Sequence, residues 1–297
     1  MKASTHSEST PSLFKDFLDI TKVRLSISVV FSSVAGYLLG TPSIDLGILT
    51  MLAFGGYFMV GASNAFNQII ERDLDALMDR TKNRPVASGR MSVQTAFIIA
   101  SVFTIAGLTL LYIINQKTAL FGAISIFMYV SLYTPLKTKT PLSVFVGAFP
   151  GAIPFMLGWV AATNNFGIEA GTLFMIQFFW QFPHFWAIGW FLFDDYKKGG
   201  FFMLPNGKRD KGTALQVVLY SLWTVLCSLI PAFGLTGSFY ITPVSTVLIA
   251  LLGIWFLYGA ITLYKKRDAK TARKLMLISV SYITLLQIIY VADKFIR

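Results

Sequence analysis

Asn67, Glu71, Asp75 and Asp79 stand four residues apart in the stretch NQIIERDLDALMDRTKNR, residues 67–84. On an α-helix a step of four advances roughly 40° around the axis and about 6 Å along it. Asn67, Glu71 and Asp75 therefore share one face, with Asp79 near its edge. The row follows an apolar run, residues 51–66, long enough for the body of a membrane helix. Carboxylates at such a position are costly unless something neutralises them. Mg²⁺ would do so, since it takes one or two carboxylates together with water and substrate phosphates. The plainer alternative is a polar helix end whose acids pair with Arg72, Arg80 and Arg84. The regular spacing, headed by an amide, favours a ligand row.

A second constellation lies in QFPHFWAIGWFLFDDYKKGG, residues 181–200. His184 and Asp195 are eleven apart, three turns plus roughly 20° on an unbroken helix. A lone histidine in an apolar helix is more often a packing residue than a ligand. Pro183 before it, with Asp194 and Asp195 below, makes it a functional candidate. Cations accompany both acid groups: Arg80, Lys82 and Arg84 after the first, Lys197 and Lys198 after the second, and Lys137 in YTPLKTKTP. Arginine offers phosphate a two-pronged planar donor and lysine a point charge. Glu71, Asp75, Asp79 and Asp195 as Mg²⁺ ligands, ringed by cations, suit a diphosphate at a membrane face. Above them an apolar cavity would be walled by aromatics such as Phe149, Trp159, Phe178 and Trp186. Most of these are packing or lipid-facing; a few could steady a carbocation through their π faces. The chemistry this suits is prenyl transfer: an allylic diphosphate ionises, electrostatically assisted, where water is excluded.

These residues need a membrane scaffold. The chain has 297 residues, 55% hydrophobic and 13% charged, about half the charge of a soluble domain. Continuous apolar runs near twenty residues recur along it, which excludes the alternating pattern of a β-barrel. The spans expected are 25–40, 47–70, 93–114, 118–135, 141–162, 171–193, 214–234, 242–264 and 274–292. The fold class is thus all-α: a single polytopic domain of nine transmembrane helices around a central cavity open to the cytoplasmic face. Residues 1–12, with His6, read as a loose cytoplasmic tail, and 13–24 as an amphipathic helix on the membrane surface. With the amino terminus inside, 22 of the 25 Lys and Arg fall on cytoplasmic segments, and the carboxyl terminus lies outside. Topology therefore accounts for the net charge of +11, and nucleic acid is not a partner. Cys227 is the single cysteine, so there is no internal disulfide.

The run N-x-x-x-E-x-x-x-D-x-x-M-x-R-T-K-N-R-P, residues 67–85, resembles the first aspartate-rich motif of the intramembrane prenyltransferases related to 4-hydroxybenzoate polyprenyltransferase. Its ending, with Met78, Arg80, Thr81, Arg84 and Pro85, is similar to that of their haem-modifying branch. So are Y-T-P-L-K (133–137), G-A-x-P (151–154), Q-F-P-H-F-W (181–186) and D-D-Y-x-x-G-G-x-x-M-L-P (194–205). The resemblance covers nearly the whole chain. It implies that farnesyl diphosphate, with Mg²⁺, alkylates the 2-vinyl group of haem B and that water completes a hydroxyethylfarnesyl side chain, giving haem O for haem-copper terminal oxidases in the cell membrane. Carried over by position, Asn67, Glu71 and Asp75 hold metal and diphosphate, Arg80, Lys82 and Arg84 bind phosphates, and Asp194 and Asp195 form a second acidic site. His184 becomes a haem contact. Implied protein partners are a haem A synthase or terminal-oxidase assembly proteins. Two departures stand out: Glu71 replaces the family's frequent Asp, and Phe191 stands where D-x-x-x-D would put an acid four before Asp195. The rivals are an aromatic-acid or quinone-precursor prenyltransferase and, from another class, a transporter or lipid-binding protein. A transporter would keep its ionisable residues near mid-membrane.

Overall fold

A computed structural model describes residues 13–297, and within them there is helix and turn but no strand. The expected tail 1–12, with His6, lies outside the described residues. A short helix, α1 (Leu13–Thr21), packs Ile20 inward and leaves Leu13 and Phe14 exposed. The chain then turns at Lys22, whose φ of 46° ends α1 before α2 (Val23–Gly40) begins. The expected helix over 13–24 is thus broken two residues early. There follow α3 (Leu46–Ile70), α4 (Arg72–Asp75), α5 (Val93–Ile114) and α6 (Gln116–Phe127), which passes through a π-helical turn, Met128–Tyr133, into α7 (Thr134–Leu136). The rest are α8 (Ser143–Thr163), α9 (Ile168–Phe191), α10 (Phe193–Lys198), α11 (Lys211–Leu229), α12 (Pro243–Lys266) and α13 (Ala269–Ile296).

Capping chemistry starts many of these helices. The side chains of Asp45, Ser92, Asn115, Asp210, Thr242 and Asp268 each accept an otherwise orphaned N–H two or three residues on. Each such cap contributes about 1 kcal/mol. Asp268 sets α13 starting five residues before the expected span, so Lys270, Arg273 and Lys274 ride on helix outside the apolar stretch.

Eight helices among the described residues are long and apolar enough to cross a membrane. The chain is a multi-span membrane protein. The 24-residue α9 is not one of the eight. Gln177, Gln181, Pro183 and His184 dilute its apolarity, yet it runs from one end of the bundle to the other. Its start follows α8, whose last turn receives the Asn115 amide (Asn115 Nδ2 to the Val160 carbonyl, 3.2 Å). Its far end leads into Asp195, which binds the loop after α4.

α8 sits innermost: 67% of its apolar window is buried, against 17% for α5. It meets α2 backbone to backbone. A Cβ on Gly158 would lie 1.9 Å from the Ser33 carbonyl oxygen, and one on Gly36 would lie 2.0 Å from that of Phe155. Small residues permit this approach. Polar side chains knit the interior. Gln287 bridges Ser32 (3.1 Å) and Gln177 (3.2 Å), and Gln181 donates to the Ala148 carbonyl at 2.9 Å. At the end remote from the acids, Lys294 caps α2 by donating to the carbonyls of Leu38, Leu39 and Thr41.

Two hollows of about 480 and 380 Å³ lie on the bundle's flanks, one lined by α5 and α6 and the other by α12 and α13. Neither is lined by a residue of the acid rows, so neither is the central cavity expected from the sequence.

Candidate active site at one end of the bundle

α3 carries Asn67 to its last turn and then stops. Glu71 leaves helical geometry (φ −92°, ψ 8°) while its N–H still reaches the Asn67 carbonyl at 2.9 Å. The next turn, α4, delivers Asp75, and from there to Ser92 the chain is a succession of turns. Asn67, Glu71 and Asp75 are all buried, at 1%, 3% and 0% exposure. The expectation of a single face for these three survives the break because α4 continues in nearly the same sense. Asp79 does not join them. With the helix finished at Asp75, its side chain is 65% exposed and pairs with Lys82 at 2.9 Å and with Lys198.

Each buried acid meets a cation. Glu71 Oε1 accepts from Lys137 Nζ at 2.7 Å, both side chains being under 10% exposed. Asp75 Oδ2 accepts from the Arg84 guanidinium at 2.6 Å. Asn67 donates to Thr134 Oγ1 at 3.3 Å. α7 brings Thr134 and Lys137 there, and the π-helical turn before it sets the Tyr133 ring under the Lys137 ammonium, 4.5 Å from its centroid. The loop folds back through Thr81, whose hydroxyl donates to the Asp75 carbonyl at 2.9 Å. Met78, 1% exposed, plugs the space beside Gly199. A Cβ on Gly199 would press within 2.9 Å of the Met78 sulfur. The M-x-R-T and G-G segments are thus two sides of one joint.

Two features suit a charged ligand. Asp75 Oδ1 is buried with no hydrogen-bond partner. Burial, and to a lesser degree the Glu71 charge, push the Asp75 carboxyl above its ordinary value against the pull of Arg84. Lys22, in the α1–α2 turn, is half-buried, and no hydrogen bond reaches its ammonium among the described residues. Burial holds its pKa well below that of a free lysine; Arg84, Lys137 and Arg80 add repulsion, while Glu71 pulls the other way. Four cations (Lys22, Arg80, Arg84 and Lys137) thus stand over two buried carboxylates. The surplus is positive, as an anionic substrate requires. Mg²⁺ fits the unpaired oxygen of Asp75. No three His, Cys, Asp or Glu side chains converge among the described residues, so the expected ligand set of Glu71, Asp75, Asp79 and Asp195 does not stand together.

The second acid group forms a clasp. Asp195 accepts from the backbone N–H groups of Asp79 (2.8 Å) and Arg80 (3.2 Å), and Lys198 sits beside it at 3.7 Å. Arg80 leans on Tyr196, donating to its hydroxyl at 3.3 Å. Lys198, and after it Lys82, pull the pKa of the Asp79 carboxyl down to about 2. Asp194 is exposed and pairs with Arg209 at 3.1 Å. Lys197 is exposed, with no side-chain partner among the described residues. His184 and Asp195 do not share a helix face, because α9 ends at Phe191 and Leu192 breaks the turn (φ −102°, ψ 15°). His184 instead lies about 10 Å inside that helix end. There Nδ1 is 2.8 Å from Ser279 Oγ and the ring stacks on Trp180.

Sequence reasoning passed over Lys22, Thr134 and Tyr133. Lys22 looks like any basic residue at the start of a span. Thr134 and Tyr133 become site residues only because a π-helical turn shifts the register ahead of Lys137.

The fold and site together define a multi-span membrane protein with buried acids and an excess of cations gathered at one end of its helical bundle. The chain belongs to the UbiA prenyltransferase family, whose model matches residues 29–285, and is a prenyltransferase. A relative from Christiangramia forsetii named protoheme IX farnesyltransferase is 73% identical over 286 residues, covering 96% of this chain and 95% of that one. Among solved structures, a digeranylgeranylglyceryl phosphate synthase superposes with a TM-score of 0.78 at 20% identity, covering 94% of this chain and 98% of the other. A UbiA homologue from Archaeoglobus fulgidus bound to GPP and Mg²⁺ gives a TM-score of 0.67 at 16% identity, covering 93% and 99%. At these identities the structural likeness speaks for the fold.

Proposed function

We propose that this chain transfers the farnesyl group of farnesyl diphosphate to the 2-vinyl group of haem B, giving haem O. The observation that carries the headgroup reading is the buried pair Glu71 and Asp75 under Lys22, Arg84 and Lys137, with Asp75 Oδ1 left unpaired. The acceptor is supported by 73% identity to a protein named protoheme IX farnesyltransferase.

Asn67, Glu71 and Asp75 hold Mg²⁺ and diphosphate, and Lys22, Arg80, Arg84 and Lys137 neutralise the phosphate oxygens. Bound Mg²⁺ supplies positive charge that stabilises the leaving diphosphate. Asp79 and Asp195, with Lys82, Lys197 and Lys198, shape the rim over it; their own service as metal ligands would require opening the clasp. The allylic C–O bond breaks with its electron pair on the diphosphate, while fixed cations offset the charge that develops. The vinyl π pair then forms the new C–C bond. The cation left beside the porphyrin takes up water, which loses one proton to give the hydroxyethylfarnesyl side chain. His184, deeper in the bundle, contacts the haem.

The acid end faces the cytoplasm of the cell membrane, nine crossings place the carboxyl terminus outside, and α1 lies at the inner surface. A haem A synthase or oxidase assembly proteins would receive the product. Product masses after incubation with Mg²⁺, farnesyl diphosphate and either haem B or 4-hydroxybenzoate test the reading. Haem O from the first mixture alone is expected. Prenylated hydroxybenzoate alone would transfer the site to the rival acceptor.

A further inference from the structure

We propose that Ser279 and Trp180 fix His184 in its Nδ1–H tautomer, so that a bare Nε2 lone pair is offered to the porphyrin acceptor. The inference rests on the reading that His184 contacts haem, and it adds the two residues that make the contact chemically competent.

The argument is one of proton bookkeeping. Ser279 Oγ lies 2.7 Å from the Met276 carbonyl oxygen. A carbonyl can only accept, so the single hydroxyl proton is committed there. Towards His184 Nδ1, 2.8 Å away, the same oxygen has only lone pairs to offer. With that proton engaged at Met276, the neutral ring carries its hydrogen on Nδ1. A neutral imidazole carries one N–H, which leaves Nε2 unprotonated.

Nε2 has no hydrogen-bond partner among the described residues, and it is not one of their sealed, unpaired atoms. The Met276 carbonyl also lies within hydrogen-bonding reach of the ring, as an acceptor for its N–H. The ring is also held in orientation. Trp180 stacks on it with centroids 4.8 Å apart and planes 19° from parallel. Trp180 is itself pinned by its indole N–H, which donates to the Ser279 carbonyl at 2.6 Å. Ser279 thus holds both rings, one by its hydroxyl and one by its backbone, and is fully buried. Ligating histidines in proteins use this device: a hydrogen bond at one nitrogen fixes the tautomer and aim of the other.

The chain has two histidines, so a His6→Ala variant carries a single imidazole. Nitrogen-15 NMR of that protein, labelled at histidine, reads the tautomer directly. We expect one protonated signal at Nδ1 and one bare signal at Nε2. Adding Ser279→Ala should turn this into exchange-averaged shifts. A proton on Nε2, or shifts unchanged by Ser279→Ala, would overturn the tautomer assignment. Titration with zinc protoporphyrin IX, a diamagnetic haem analogue with an axial site, tests the acceptor separately. A shift at Nε2 that is absent with a non-porphyrin aromatic supports presentation to the macrocycle. An unresponsive Nε2 removes that part and, with it, the haem contact, while leaving the tautomer and the farnesyl diphosphate site standing.

Discussion

At the residue scale, charge pairing organises the site. Glu71 and Asp75 are each tied to one cation, and Lys22 stands beside them without a hydrogen bond. A buried carboxylate stripped of its partner typically costs 3–5 kcal/mol. Arg84→Met should therefore lower the melting temperature as well as turnover. Asp75→Asn removes charge while keeping shape; it should abolish turnover with a smaller thermal effect than Arg84→Met, because the Arg84 left behind is the more exposed partner. Thermal unfolding beside a diphosphate-release assay separates the two. Lys22→Met should raise KM for the prenyl diphosphate on the order of tenfold, the worth of one charge-assisted hydrogen bond. Lys22 also predicts a pH dependence. Its pKa is depressed in the empty protein, and a bound anion would raise it, so binding takes up a proton between those two values. Affinity is then highest below the depressed value and falls as pH rises through it. Calorimetry in buffers of different ionisation enthalpy should detect that proton in the wild type and not in Lys22→Met. The acid row was legible because spacing of four survives into α4. Asp79 was misplaced because nothing in its residue type announces that the helix has ended.

At the element scale, a few close joints decide the site's shape. α2 and α8 touch at Gly36 and Gly158, which fixes the α1–α2 turn, and so Lys22, relative to the core. Gly158→Val should drive these helices apart and lower both folded yield and diphosphate affinity, read by detergent size exclusion and ligand binding. The clasp of Asp195 on the N–H groups of residues 79 and 80 ties α10 to the first loop. Asp195→Ala should open the loop at Arg80 and Lys82 to trypsin, with faster cleavage between α4 and α5. Unchanged cleavage would mean the clasp does not hold the loop. Helix ends were readable to within a few residues for most spans, since caps such as Asp45, Ser92 and Asn115 are local signals. The π-helical turn before Lys137, which packs against α8, was not readable, because no local residue pattern announces it.

Across the whole molecule, the bundle separates two kinds of polar chemistry. One end gathers acids and cations for an anionic headgroup. The other is closed by neutralised contacts such as Lys294 on the α2 carbonyls. Between them the amide ladder of Gln177, Gln181 and Gln287 holds the central helices and leads towards His184. α9, which carries several of the interior polar residues, is the one long helix among the described residues that falls short of the apolarity of the other eight. The account depends most on the acid end gripping a magnesium-bound diphosphate. Calorimetric titration with a non-reactive farnesyl thio-diphosphate, with and without Mg²⁺, measures this directly. Tight binding that requires Mg²⁺ in the wild type and is lost in Asp75→Ala is the predicted result. Equal affinity with and without the metal, or full affinity in the variant, would contradict it.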